Sequence, residues 1–286
     1  MTGPVIAAAA APTVDLSRLD DVPPLTHGNH RDVSDGACVM EAVSFVAGEP
    51  WSAHPACACP VPTILLVTWN DNLPDDQRDA LLRPLVPLLV GTRSTPEVER
   101  RRSLMAADWL VREYTPAWLR LAGLTVQADA MAGLPEITDI AQFPGLMPLL
   151  KSVREDATVV LDAAWTAGVA AGAGVAFRAA VGDAAGEAVR ASAGDPARAA
   201  AGNAARAAAR ATDDALYDAW DDAMDAAWAA AGAAAWNASW DAAGAAAFVA
   251  AANAAARAAR AALRPTCEAL QQSALALVHR MIGVAA

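Results

Sequence analysis

The second half of the chain is dominated by one residue type. From residue 151 to residue 286, 57 of 136 residues are alanine. Alanine has the highest helix propensity of all residues, and a segment this apolar does not have the composition of a disordered chain. Because an alanine side chain buries little area, helices built from it must gain stability by approaching one another closely. The sequence therefore predicts an all-α fold whose second half is a bundle or array of closely packed helices.

Bulky side chains are sparse in this half and recur at helical spacing. One predicted face carries Tyr217, Trp220, Met224 and Trp228, and a second carries Trp236 and Trp240. Such rings either fill the gaps between alanine helices or form an exposed surface that binds a partner. We expect a protein partner, or a second copy of the chain, to bind through the faces of Trp220, Trp228, Trp236 and Trp240.

Proline, glycine and capping residues mark the organisation of the first half. Residues 1–26 contain four prolines and little apolar periodicity, so we expect a disordered arm there. Between residues 27 and 124, repeated helix-start and helix-stop signals predict about five short helices in a compact α-helical domain; the clearest start is Ser94-Thr95-Pro96-Glu97. Residues 125–150 hold two glycines and three prolines, which indicates a linker before the alanine-rich domain of residues 151–286.

Several helix boundaries are specific enough to compare with a structure. A cap at Ser34 or Asp35 predicts a helix that Gly48 ends in the left-handed conformation. In the second half, Gly232 and Pro265 each predict a point at which a helix stops.

Charge and targeting signals exclude several classes of function. The formal net charge is −11, whereas a nucleic-acid-binding protein needs a basic surface, so we expect no nucleic-acid partner. The segment from residue 226 to residue 256 is long enough to span a membrane, but a span would place Asp241 in lipid at a cost of a few kcal/mol, which argues against a membrane partner. The start of the chain lacks a basic region and an apolar stretch of signal length, so we predict a cytoplasmic protein.

Most of the histidines and cysteines lie close together in the sequence. The six residues are His27, His30, Cys38, His54, Cys57 and Cys59. Zn²⁺ takes four ligands of this kind, often as two close pairs, and His27/His30 and Cys57/Cys59 are such pairs. A bound metal would also order a loop that is rich in proline. We therefore predict the six residues as candidate ligands of a structural zinc ion.

Other interpretations of this cluster remain open. In one, Cys38 is a small buried residue on an apolar helix face and the cluster is incidental. In another, Cys57 and Cys59 are redox-active thiols, although no adjacent basic residue is present to lower a thiol pKa. A metal-dependent hydrolase would use a carboxylate such as Glu41 as its general base.

The first half also carries a recognisable pattern of short segments. These are Cys38-Val39-Met40-Glu41-Ala42-Val43-Ser44, Ala47-Gly48-Glu49-Pro50-Trp51-Ser52, Cys59-Pro60-Val61 and Val90-Gly91-Thr92-Arg93. Over roughly residues 27–120 this pattern resembles uncharacterised, alanine-rich proteins of GC-rich bacterial genomes. The resemblance implies a bacterial protein whose first half is a recurring module, and it implies no activity.

The sequence contains no complete catalytic motif but does contain helix faces suited to packing. The leading interpretation is a non-enzymatic helical interaction or assembly protein, with a structural metal as an additional hypothesis. The alternative is a metal-dependent hydrolase or thiol-redox enzyme that uses the His/Cys cluster. A third interpretation is a membrane-active effector.

Overall fold

The computed structural model describes residues 14–170, 174–208, 213–243 and 248–284, with the side chains of 168–169, 202–221 and 240–251 left out. Every regular element in these ranges is helical, which confirms the predicted all-α fold. The first-half helices are α1 (Val39–Val46), α2 (Pro60–Asn72), α3 (Asp75–Leu82), α4 (Val86–Leu89), α5 (Pro96–Trp109), α6 (Thr115–Leu121) and α7 (Thr125–Ala132). The longer helices that follow are α8 (Phe143–Ala170), α9 (Val175–Ala191), α10 (Gly194–Ala208), α11 (Asp213–Ala243) and α12 (Phe248–Ile282).

Helix α1 begins three or four residues later than the predicted caps at Ser34 or Asp35 imply. Its N-cap is Cys38, whose Sγ accepts a hydrogen bond from the Glu41 backbone N–H, while the Glu41 carboxylate accepts one from the Cys38 N–H at 2.8 Å. This reciprocal pair satisfies two amides that would otherwise lack partners at the helix start. Gly48 then has a φ of 71°, so the predicted left-handed helix stop is confirmed.

The helix predicted from Pro96 to about Tyr114 is also present, with a local change of winding. Thr95 caps α5 through its side chain, and residues Leu110–Tyr114 form a π-helical turn that continues directly into α6. Pro116 lacks the N–H that an α-helical ladder needs, and just before it the Leu110 carbonyl accepts hydrogen bonds from the backbone N–H of Thr115 and, at 3.0 Å, from its hydroxyl.

Close approach of small residues organises the second half. Helix α11 lies against α8, α9 and α12, and alanines such as Ala230 and Ala233 are fully buried between them. A Cβ at Gly232 would lie only 2.9 Å from Cδ1 of Leu161, so this glycine permits contact between α11 and α8 rather than ending a helix. The predicted stop at Gly232 was therefore wrong.

The predicted stop at Pro265 was also wrong, since α12 continues through it. A proline removes one donor from a helix interior but does not have to end it. Here Leu263 and Leu270, on either side of the proline, are both buried in the core, so apolar packing holds the two parts of α12 in one helix.

The two halves share one hydrophobic core. Helix α10 packs against α2 and α5, and the Trp69 indole N–H donates to the Ala191 carbonyl at 2.9 Å. A Cβ at Gly194 would overlap the Tyr114 ring, so only glycine permits this contact between the halves. The predicted linker contains α7 and the beginning of α8.

The predicted N-terminal arm is only partly described. Residues 1–13 lie outside the described part of the chain. From residue 14 onward the segment forms a 3-10 turn at Leu16–Asp21, and Val22 and Leu25 are buried in the core. The Arg83 guanidinium donates to the carbonyls of Val22 and Pro23, and these hydrogen bonds hold the segment against the end of α3.

Candidate functional site

The structure places the six predicted metal ligands in different environments. His27 and His54 are exposed, Cys38 and Cys59 are buried, and His30 and Cys57 are partly buried. All four cysteines of the chain are free thiols. Among the described residues, no group of three or more His, Cys, Asp or Glu side chains is placed to hold a metal ion. The zinc site therefore stays a prediction without geometric support.

Two of the thiols in this region, those of Cys38 and Cys57, are poor nucleophiles in the folded chain. Burial raises the pKa of Cys38 to about 12, and burial also raises the pKa of Cys57. Only the thiolate attacks disulfides or other electrophiles, so a raised pKa leaves little reactive thiol near neutral pH. Cys38 instead serves as the cap of α1, and the Cys59 N–H donates to the Thr92 hydroxyl at 3.1 Å.

Two members of the predicted cluster do form a polar arrangement. Nδ1 of His30 lies 2.7 Å from Oε2 of Glu41, and Nε2 of the same ring lies 2.8 Å from the Thr26 hydroxyl. The Glu41 side chain is 2% exposed, and it also accepts hydrogen bonds from the backbone N–H groups of His30 and Cys38. The hydroxyl, imidazole and carboxylate thus form a continuous chain, which we call the Thr26–His30–Glu41 relay.

The local backbone is shaped to hold the relay. Gly36 has a φ of 130°, and a Cβ there would lie 2.6 Å from the His30 ring. The Trp51 indole N–H donates to the His30 carbonyl at 2.9 Å, and the Asn70 amide donates to the Thr26 carbonyl at 2.8 Å. These contacts fix the loop that carries His30 against α1 and α2. In chemical terms, a buried carboxylate orients an imidazole toward an exposed hydroxyl, which is the connectivity of a hydrolase triad.

Two of the four tryptophans on the predicted faces, Trp228 and Trp236, have described side chains. Trp236 is 2% exposed and contacts Trp165 edge-on, with ring centroids 5.2 Å apart. Trp228 is partly buried beneath Arg190, whose guanidinium carbon lies 5.9 Å from the ring centroid. The side chains of Trp220 and Trp240 lie outside the described residues. Trp236 therefore packs between helices and is almost fully covered by them.

An open groove lies between α8, α9 and α11, and we call it the tryptophan groove. It encloses about 360 Å³, and its lining includes Trp165, Trp228, Trp236, Gly182, Gly232 and Asp162. Cavities of this size and apolar character are typical of small-ligand sites. Trp165, which the sequence reasoning missed, is the exposed member of the three indoles.

Exposed apolar side chains also lie on the second half of α8 and at the start of α9. Val159 and Trp165 in the last three turns of α8 are 67% and 44% exposed, and Val175 at the start of α9 is 73% exposed. We call these three residues the corner patch. Arg178 contacts the Trp165 ring, with its guanidinium carbon 5.3 Å from the ring centroid. Asp162 is exposed on the same helix as Trp165, so both signs of charge adjoin the patch.

Two further observations concern membrane-spanning helices and similarity to known proteins. No helix within the described ranges combines the length and apolar character required to cross a membrane. Comparison with known proteins finds no match to the chain among family models, curated proteins or solved structures.

Proposed function

We propose that the chain is a non-enzymatic helical interaction protein, and that it binds a second copy of itself through the corner patch. The observation that supports this proposal is the exposure of Val159, Trp165 and Val175 on α8 and at the start of α9, together with the contact of Arg178 of α9 with the Trp165 ring. Contiguous exposed apolar surface on a water-soluble domain marks an interaction site more often than isolated exposed residues do.

The charges around the patch favour a second copy as the partner. A two-fold contact brings a surface against itself, so the surface must be complementary to its own copy. The corner patch meets this condition because Arg178 and Asp162 provide one charge of each sign beside apolar side chains. The same patch is also the surface on which we would expect a different protein partner.

Sedimentation velocity over a wide range of protein concentration tests this proposal. The wild-type chain should show a mass that rises from monomer to dimer. The double variant Val159→Glu/Val175→Glu should remain monomeric, because it places carboxylates in the buried centre of the contact. Val126 on α7 is 79% exposed, so Val126→Glu makes the same change at a comparable site and should dimerise like the wild type. A wild-type chain that stays monomeric at every concentration would show that the corner patch does not mediate self-association.

A cytoplasmic location belongs to the same proposal. All four cysteines are free in the structure, including the partly exposed Cys57 and Cys267. Free thiols persist in a reducing compartment and tend to form disulfides outside it.

The second candidate function is a hydrolase, and the Thr26–His30–Glu41 relay is the observation that favours it. His30 would take the proton of the Thr26 hydroxyl as that oxygen attacks an ester carbonyl, and Glu41 would stabilise the imidazolium. The imidazolium would return the proton to the leaving alkoxide as the ester C–O bond breaks, and water would then hydrolyse the acyl group from Thr26. A metal is not needed for this step. The raised thiol pKa values speak against the thiol-redox alternative.

Hydrolysis of p-nitrophenyl acetate tests this second candidate. Hydrolysis by the wild type should fall about a hundredfold or more in His30→Ala, because the general base is lost. His54 is exposed and outside the relay, so His54→Ala is the matched control and should keep wild-type activity. Equal rates in all three proteins would reject a role for the relay in catalysis, provided that circular dichroism shows all three to be folded.

A further inference from the structure

The tryptophan groove has an unusual combination of lining groups. Three indoles provide its aromatic surface, and Asp162 is the charged side chain among the described residues that line it. The other lining side chains are glycine or aliphatic and provide no hydrogen-bonding group. An aromatic enclosure with one carboxylate is complementary to a cation that needs no hydrogen-bond acceptors.

We propose that the tryptophan groove binds a small quaternary ammonium compound of the choline class. The face of an indole is the most favourable aromatic surface for a cation, and quaternary ammonium groups are recognised in this way. The chain already uses two of the groove indoles as cation platforms, since Arg178 lies over Trp165 and Arg190 over Trp228. Asp162 is exposed and provides the one carboxylate among the described lining side chains.

The lining distinguishes a quaternary from a primary ammonium group. A primary ammonium carries three N–H donors, which must be satisfied when water is removed. Within the described lining, the Asp162 carboxylate is the side-chain acceptor, so a primary ammonium would lose hydrogen bonds on entry. A quaternary ammonium carries no N–H donor and loses none.

The size of the groove points to a small ligand. About 360 Å³ is enough to hold a trimethylammonium group with a short chain. A Cβ built on Gly182 meets no heavy atom within 4 Å, so the backbone of α9 is open to the groove there. This open position also provides a variant that fills the groove from within: Gly182→Leu adds a side chain to free space and replaces glycine with a better helix former.

The experiment is a titration of the full chain with choline chloride, in which binding is measured by tryptophan fluorescence and by calorimetry. A titration with sodium chloride at the same concentrations is the control for ionic strength. The neutral probe is 3,3-dimethyl-1-butanol, which has the shape of choline but no charge. Choline should bind with saturation, and the neutral isostere should bind at least about tenfold more weakly because it lacks the cation–π contribution. Equal affinity for the two compounds would overturn the proposal, because the groove would then recognise apolar shape alone.

Three variants locate the binding. Gly182→Leu should abolish choline binding, and Asp162→Asn should weaken it about fivefold through loss of an exposed charge contact. Glu155 is an exposed acid on the same helix, outside the groove lining, so Glu155→Gln should bind like the wild type. Wild-type affinity in Gly182→Leu, or no saturable binding by any protein, would overturn the proposal.

One variant distinguishes failure of the choline proposal from failure of the self-association proposal. Val159 and Val175 lie outside the groove lining, whereas Trp165 and Asp162 belong both to the groove and to the dimer contact, so Val159→Glu/Val175→Glu should lose the dimer and bind choline at least as tightly as the wild type. Loss of choline binding in that double variant would contradict a groove contained within one chain.

Discussion

The buried guanidinium of Arg102 should be one of the main attachments between the two halves of the chain. Its Nε and one terminal nitrogen each donate to a carbonyl at 2.7 Å, those of Met281 and Thr92, and the second terminal nitrogen donates to Val284 at 3.2 Å. Met281 and Val284 lie at the C-terminal end of α12, where carbonyls lack helical partners and the helix dipole is negative. Arg102 therefore caps α12 while it is itself part of α5.

Arg102→Met removes these three bonds and keeps most of the aliphatic volume. Hydrogen bonds that involve a charged donor contribute about 1.5–3 kcal/mol each, and the desolvation of a buried guanidinium offsets part of the total. We expect the free energy of unfolding to fall by about 3–5 kcal/mol, which corresponds to a melting temperature lower by about 6–15 °C. The neighbouring Arg101 is exposed, so Arg101→Met should change stability by less than about 0.5 kcal/mol.

Urea denaturation followed by circular dichroism measures both variants. A loss of less than about 1 kcal/mol in Arg102→Met would refute the reasoning, because it would mean that the carbonyls at the end of α12 do not depend on Arg102. An equal loss in Arg101→Met would refute it as well, since the effect would then follow from removing any positive charge from α5.

Two further predictions concern packing and ionisation. Gly194→Ala should destabilise the fold by about 1–3 kcal/mol, because its methyl group would overlap the Tyr114 ring. Gly182→Ala places its methyl group in open space and should be neutral or stabilising. Equal unfolding midpoints in urea for the two variants would contradict this difference. Burial raises the pKa of Cys267 to about 12. Alkylation of this thiol by iodoacetamide at pH 8 should therefore be about a thousandfold slower in the folded chain than in denaturant, and the rate should rise with pH. Equal alkylation rates in the folded and denatured chain, measured by mass spectrometry, would contradict the raised pKa. Because the folded-state pKa of Cys267 lies above the ordinary thiol value of 9.0, this thiol should also make the fold less stable as the pH rises above that value.

The fold class could be predicted from the sequence because alanine acts locally. Helix propensity and the cap at Thr95 depend on neighbouring residues, and the structure agrees with both. Neighbouring residues in the sequence were not enough to predict whether a helix stops at Gly232 or at Pro265. Whether a helix continues through such a residue depends on what packs against it, which for Gly232 is Leu161 in another helix.

The candidate sites show the same limit. Sequence proximity singled out His30 and Glu41, but their pairing with Thr26 depends on a loop that folds back onto α1. Trp165 was missed because no other aromatic residue lies within three turns of it on α8, and its partner Trp236 lies on another helix. The sequence therefore predicted tryptophans on alanine-rich helices but could not predict that three of them line one groove.

The most direct test of the central claim, that the protein works through contact at the corner patch, is hydroxyl-radical footprinting at low and high protein concentration. Trp165 should be oxidised at low concentration and protected at high concentration, because dimer formation covers it. Leu88 on α4 is similarly exposed at 43% and lies outside the patch, so its oxidation should not change. Trp165 oxidation that is independent of concentration would contradict the account.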